Sequence, residues 1–234
     1  MSQALLIPVK ELANAKHRLS GALSPQERRD LAWLMLKGVL REGALLAGDV
    51  RKVVVTSYGP AKELALDLGY EVLSESRQVS ESDSVDRASA QLEREGVEGV
   101  LRVPLDLPLL EVRDLRRVLT MSTEGMATVL VPSADGDGTN ALYRAPPCLF
   151  PSRFGPGSLF LHEQLAREHR VPYVVEPLES LALDIDDEGD LRALMAQQRN
   201  CPAREYLEKA GLPERLHKIA AARGGAEFRA KSDS

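Results

Sequence analysis

Five short runs rich in β-branched and aliphatic residues mark the chain: ALLIPV (4–9), KVVVTS (52–57), GVLRV (99–103), ATVLVP (127–132) and VPYVVE (171–176). Longer segments with helical spacing separate them. Strands alternating with helices of roughly 10–15 residues read as βαβ units, because a parallel neighbour is reached only through a long crossover. The pattern predicts an α/β fold of mostly parallel pairing. Weaker strands are expected at YEVLS (70–74), GTNALYR (138–144) and SLALDID (180–186).

Helix signals fall between these runs. SPQE (24–27) places Ser24 as N-cap, Pro25 at the first helical position and Glu27 to close a capping box. Leu31, Leu34, Met35, Gly38 and Val39 continue one face to about residue 46. Further helices are expected over 59–69, from Ser84 to Glu95, over 112–120, from Ser158 through His169, and over 187–198. From Cys201 the composition turns charged and Ala-rich. This divides the chain into a domain over 1–200 and an extension over 201–234, with one or two short helices and a disordered end.

Composition excludes several functions. Of 234 residues, 44% are apolar, enough for a sizeable core, yet only 4% are aromatic, so Leu, Val, Ala and Ile must build it. A net charge of −5 gives no overall attraction to nucleic acid or to anionic membranes. Cys148 and Cys201 make neither a disulfide framework nor a zinc site. No apolar run approaches the ~20 residues that span a bilayer. A soluble cytoplasmic protein with no nucleic-acid or membrane partner is expected.

Four features carry chemistry. In VLRVPLDLPLL (100–110), Asp106 stands alone in an apolar run where a strand stops, either as a turn residue or as a ligand at a strand's carboxyl end. In LDIDDEGDL (183–191), Asp184 and Asp186 are two apart on a strand-like segment and so share a face. Two carboxylates held together call for a cation or a proton between them, and an oxygen-rich set suits Mg²⁺ or Mn²⁺. Asp187, Glu188 and Asp190 are assigned instead to the following helix start.

The third feature is the loop VKELANAKHRL, with Lys10, Lys16, His17 and Arg18, which is either a solvated basic loop or a cradle for nucleotide phosphates. It has neither a P-loop nor a G-x-G-x-x-G pattern. The fourth joins DGDGTNAL to FGPGS. There Gly155, Gly157 and Ser158, helped by Thr139, could hold a carboxylate or phosphate at a helix start, or simply form a hairpin and a cap. His17 and His162 are read as surface or packing residues.

Together IPVKELANAKHRLSGALSPQER, VPLDLPLL, GTNAL, FGPGSLFLH and LDIDDEGDL resemble, in order, the 2-phospho-L-lactate guanylyltransferase family. That family includes the phosphoenolpyruvate guanylyltransferases of coenzyme F-420 biosynthesis. The resemblance covers roughly residues 5 to 195. It implies a Rossmann-like three-layer nucleotidyltransferase fold of the MobA-like superfamily. It also implies GMP transfer from GTP to 2-phospho-L-lactate, phosphoenolpyruvate or 3-phosphoglycerate, with release of pyrophosphate.

By carry-over, Asp106, Asp184 and Asp186 are the metal carboxylates. Thr139, Gly155 and Ser158 hold the acceptor, while Lys16 and Arg18 meet the GTP phosphates. The family's Gly-Leu-Asn-Ala-Ala helix start is replaced here by SDSVDRAS (82–89), and Asp86, near the usual Asn, is expected to take a ribose hydroxyl or a base N–H. A homo-dimer and hand-over of product to a downstream biosynthetic enzyme are compatible with the resemblance. The alternatives are a nucleotidyltransferase for a molybdopterin or sugar phosphate, or a non-catalytic nucleotide-binding protein.

Overall fold

The computed structural model describes residues 2–12, 15–75 and 79–221. Seven strands form one sheet in the order β3-β2-β1-β4-β6-β5-β7: β1 Gln3–Val9, β2 Arg51–Thr56, β3 Glu71–Ser74, β4 Gly99–Arg102, β5 Thr128–Pro132, β6 Thr139–Arg144 and β7 Tyr173–Val175. All pairs are parallel except those of β6, which runs antiparallel to both β4 and β5. The expected α/β class and mostly parallel sheet are what the chain adopts.

Helices cover both faces: α1 Pro25–Ala44, α2 Gly59–Asp67, α3 Glu81–Arg94, α4 Val112–Thr123, α5 Ser158–Glu168, α6 Glu179–Ala182, α7 Glu188–Ala196, α8 Pro202–Lys209 and α9 over 212–221. Strand periodicity decides which side each residue serves. Leu5, Ile7 and Val9 of β1 join α1, α2 and α4 in one core, while Ala4 and Leu6 join α3 in another. Every residue of β1 is buried. A Leu6→Ala change there would cost about 2–5 kcal/mol through lost burial and a cavity.

The capping box at the start of α1 is formed as expected: Ser24 Oγ accepts from Glu27 N–H, and Glu27 accepts from Ser24 N–H. Other boundaries moved. Helix α3 begins at Glu81 rather than Ser84, because Ser80 caps it through Asp83 N–H. SLALDID is not a strand: its first residues lie in α6, and 183–186 join no strand of the sheet. Residues 17–21 form a short 3-10 helix that the periodicity did not reveal.

The extension is not separate from the domain. Leu207, Leu212 and Leu216 are buried against Leu31 and Met35 of α1 and Leu191 and Leu194 of α7. Arg215 pairs with the capping residue Glu27 at 2.8 Å. The expected disordered end, RGGAEFRAKSDS, lies outside the described residues. No helix among the described residues is long and apolar enough to cross a membrane.

Topology fixes where a ligand can sit. From β1 the chain moves outward to β2 and β3, then crosses back to β4 on the other side of β1. Crossovers diverge at this switch point, leaving a crevice beyond the carboxyl ends of β1 and β4.

Candidate active site

Strand β4 ends because Pro104 has no N–H to extend the ladder, while Val103 N–H still reaches Leu6 O at 3.0 Å. Asp106 follows at the mouth of the crevice. Its carbonyl accepts from Ile185 N–H at 3.2 Å, and this one bond docks the segment 183–186 alongside. Ile185 points into the core, so its neighbours Asp184 and Asp186 share the opposite side, towards Asp106. The same-face reading is correct even though no strand forms.

Lys16 closes the group from the other side of the crevice. Its Nζ donates to Asp106 Oδ2 at 2.6 Å and to Asp186 Oδ1 at 2.8 Å. The Lys16 side chain is only 8% exposed, against 20% for Asp106 and 52% for Asp186. Lys16 takes the left-handed conformation (φ 59°) just before the 3-10 helix. Such a backbone costs about 1 kcal/mol for an L residue and persists where the surroundings enforce it.

Electrostatics follow from this count of charges. Burial would push the Lys16 ammonium down, but Asp106 and Asp186 outweigh it and hold it above its ordinary range. Burial pushes Asp106 up, and Lys16 reverses that to keep it ionised. Asp184 goes the other way: burial first, then the charge of Asp106, raise it. Asn140 Nδ2 donates to Asp184 at 3.1 Å, and Lys16 bonds Asp106 and Asp186 rather than Asp184.

Two cavities of about 440 Å³ each meet at this point and share Arg18, Glu81, Asp106 and Asp186 on their common wall. One is lined by the apolar Pro8, Leu12, Ala15 and Leu105 together with Lys10, Lys16 and His17. The other is polar and is bordered by Asp184, Thr139, Gly155 and Ser158. The two basic and acidic motifs, distant in sequence, are thus brought together, and Lys10 and Arg18 lie beside them.

Behind Thr139 a hydrogen-bond chain sets proton directions. Arg153 N–H donates to His162 Nε2 at 2.9 Å, so the ring proton lies on Nδ1 and is given to Thr139 Oγ1 at 3.0 Å. His162 is fully buried, and burial followed by the charges of Arg144 and Arg102 holds it neutral, down to about 3. Ser158 Oγ accepts from Thr139 N–H at 2.8 Å. Each hydroxyl oxygen accepts one hydrogen bond and keeps its own proton as a donor, and both residues line the polar cavity. His162 is a packing residue, as read, with an orienting duty added.

Two expected ligands are placed otherwise. Asp86 does not border either cavity: its carboxylate accepts from Ser152 N–H and Oγ–H (2.7 Å for the latter) and pairs with the buried Arg144. Its charge compensates the buried Arg144. Gly157 does not line the cavity either; it takes φ 68° at the start of α5, and its N–H donates to Asp137 Oδ2 at 2.7 Å. Conversely, Arg102, Glu81 and Asn140 line the polar cavity and were not anticipated. The charged residue inside the apolar run GVLRV was the available signal for Arg102.

Carboxylate oxygens are the donors a hard divalent cation takes, and here two of the three carboxylates bond the Lys16 ammonium. Among the described residues, no three His, Cys, Asp or Glu side chains converge tightly enough to hold an ion by themselves.

Residues 3–225 match the model of the family described as "Guanylyl transferase CofC like". A phosphoenolpyruvate guanylyltransferase of Rubrobacter xylanophilus is 36% identical over 197 residues, covering 84% of this chain and 95% of that protein. A 2-phospho-L-lactate guanylyltransferase of Methanothermobacter thermautotrophicus is 32% identical, covering 89% and 91%. In shape the chain is similar to a putative nucleotide-diphospho-sugar transferase from Desulfovibrio desulfuricans, with TM-score 0.76 at 15% identity, covering 93% of this chain and 97% of the other.

Proposed function

The chain belongs to the CofC-like guanylyl transferase family, and from that premise we propose that it transfers GMP from GTP to a small phosphorylated carboxylic acid in the cytoplasm, for coenzyme F-420 biosynthesis. The acceptors in view are phosphoenolpyruvate, 2-phospho-L-lactate and 3-phosphoglycerate. The observation that carries the reading is the junction of an apolar and a polar cavity at Arg18, Asp106 and Asp186, with Lys16 on the apolar side and Asp184 on the polar side. A flat base fits the apolar cavity, the triphosphate runs past Lys16 and Arg18, and the acceptor occupies the polar side.

The acceptor phosphate, with a second pKa near 6, is largely a dianion at neutral pH and needs no protein base. One of its oxygens attacks the α-phosphorus. The new P–O bond forms as the bond to the bridging oxygen breaks, and the electron pair leaves with pyrophosphate. Catalysis is then alignment and charge neutralisation. Lys16 and Arg18 offset the triphosphate charge, while Thr139 and Ser158 donate hydroxyl protons to the acceptor. Asp106 and Asp184, with Asp186 beside them, would hold Mg²⁺ or Mn²⁺, which supplies charge neutralisation on the reacting phosphates.

The test offers each acceptor with GTP and Mg²⁺ and follows pyrophosphate and product mass. Acceptor-dependent pyrophosphate release with a guanylylated acid as product is expected. Its absence with all three acids overturns the reading.

A further inference from the structure

Arg102 is the cation of the polar cavity that neither the motifs nor the mechanism has used. Its side chain is 5% exposed, yet it borders the cavity. Its guanidinium stacks on the Phe154 ring, 3.9 Å from the centroid, and Nη1 donates to the carbonyls of Thr139 and Asn140, both at 3.3 Å. Nη2 pairs with Glu81, whereas the Nε–H is buried and finds no partner among the described residues. Stacking and two backbone carbonyls fix the plane of the fork, and one of its donors is left unused.

The charges lining the polar cavity sharpen the point. Eight carboxylates border it, against two cations, Arg18 and Arg102. Arg18 stands on the wall shared with the apolar cavity, whereas Arg102 borders the polar cavity alone. An acceptor bearing a phosphate dianion and a carboxylate brings about three further negative charges into that space. Its nucleophilic phosphate must lie at the junction with the triphosphate, which leaves the carboxylate on the inner side, near Thr139 and Arg102.

We propose that Arg102 is the specificity-determining residue that takes the acceptor's carboxylate, and that Glu81 occupies its fork until the acceptor arrives. This rests on the guanylyltransferase reading above. A carboxylate already sits against the guanidinium, so the position admits that group. The exchange replaces one carboxylate by another and leaves the buried arginine compensated throughout, avoiding the penalty of an unpaired interior charge. It also gives the idle Nε–H an acceptor, completing a two-bond fork. Glu81, 28% exposed, has solvent to move into.

The experiment compares kcat/KM for a phosphorylated carboxylic acid with that for a plain alkyl phosphate of similar size, GTP and Mg²⁺ being constant. The ratio is insensitive to the fraction of correctly folded enzyme. The wild type should favour the carboxylated acceptor by roughly 100-fold or more, and Arg102→Gln should bring the ratio to within about threefold of unity. Arg102→Lys, which keeps the charge and loses the fork, should fall between. A ratio that Arg102→Gln leaves at the wild-type value overturns the proposal.

Glu81→Gln supplies an independent arm: removing the resting partner should lower the acceptor KM by roughly three- to tenfold. An unchanged or raised KM overturns the exchange. Loss of all acceptor-dependent turnover in the wild type would instead overturn the guanylyltransferase reading, so the two failures are distinguishable.

Discussion

The Lys16 ammonium lies 2.6 Å from Asp106 Oδ2 across ninety residues of sequence, and it reaches Asp186 at 2.8 Å from the same position. One cation thus ties the loop after β1 to the end of β4 and to the segment before α7. Lys16 bonds two of the three carboxylates, while Asp184 accepts from Asn140.

Replacing Lys16 by Gln should lower kcat/KM for GTP by roughly 100-fold, because a fixed charge on the phosphates is lost. The same change leaves three carboxylates facing one another. Mg²⁺ should therefore raise the unfolding temperature of Lys16→Gln more than that of the wild type. Differential scanning calorimetry with and without the ion checks this, and equal shifts would count against the metal assignment.

Asp106→Asn should reduce pyrophosphate release by roughly 1,000-fold while far-UV circular dichroism stays that of the wild type. Chelation of divalent ions should silence the wild type and be reversed by added Mg²⁺ or Mn²⁺. Near-normal turnover by the variant would sink the role given to Asp106.

His162 should make folding pH-dependent. Its folded pKa is pushed from 6.5 down to about 3, so below pH 6.5 the unfolded chain binds a proton that the folded one refuses. Its contribution to stability is therefore lost as pH falls from 6.5 towards 3, by about 2 kcal/mol between pH 7 and pH 5. Urea midpoints should show that decline in the wild type and a shallower one in His162→Gln. In the variant, KM for the acceptor should rise more than KM for GTP, since Thr139 loses the donor that orients its hydroxyl.

Arg215→Met should lower stability by about 1 kcal/mol, the scale of a partly exposed two-bond ion pair. Arg215 first, and Ser24 after it, hold the Glu27 carboxyl down to about 2. A depressed carboxyl contributes above its unfolded value of 4.5 and loses that contribution as pH falls towards 2. Acid titration of the unfolding temperature should show this loss in the wild type and less of it in Arg215→Met, with kcat/KM unaffected at neutral pH.

The motifs announced themselves because their chemistry is local. Ser24 and Glu27 cap a helix from three residues apart, and Asp184 and Asp186 share a side through the two-residue period of extended backbone, with or without a sheet. The partners of Asp86 are not local. Its sequence neighbourhood pointed to a nucleotide, but the fold placed the buried Arg144 and Ser152 against it. Arg102 was visible as a charge in an apolar strand, though nothing in the sequence named Glu81 and Phe154 as its partners.

Alternating strands and helices, with their caps and stops, determined by themselves the α/β class and the candidate carboxylates, since backbone periodicity and capping act over a few residues. Tertiary structure alone decided which charges meet: that Lys16 stands between Asp106 and Asp186, that Asp184 is left over, and that 202–221 complete a core rather than trail from it. The physical reason is range. Hydrogen-bonded local structure is written in neighbouring residues, whereas Coulombic pairing and burial depend on distances that exist only once the sheet has ordered its strands.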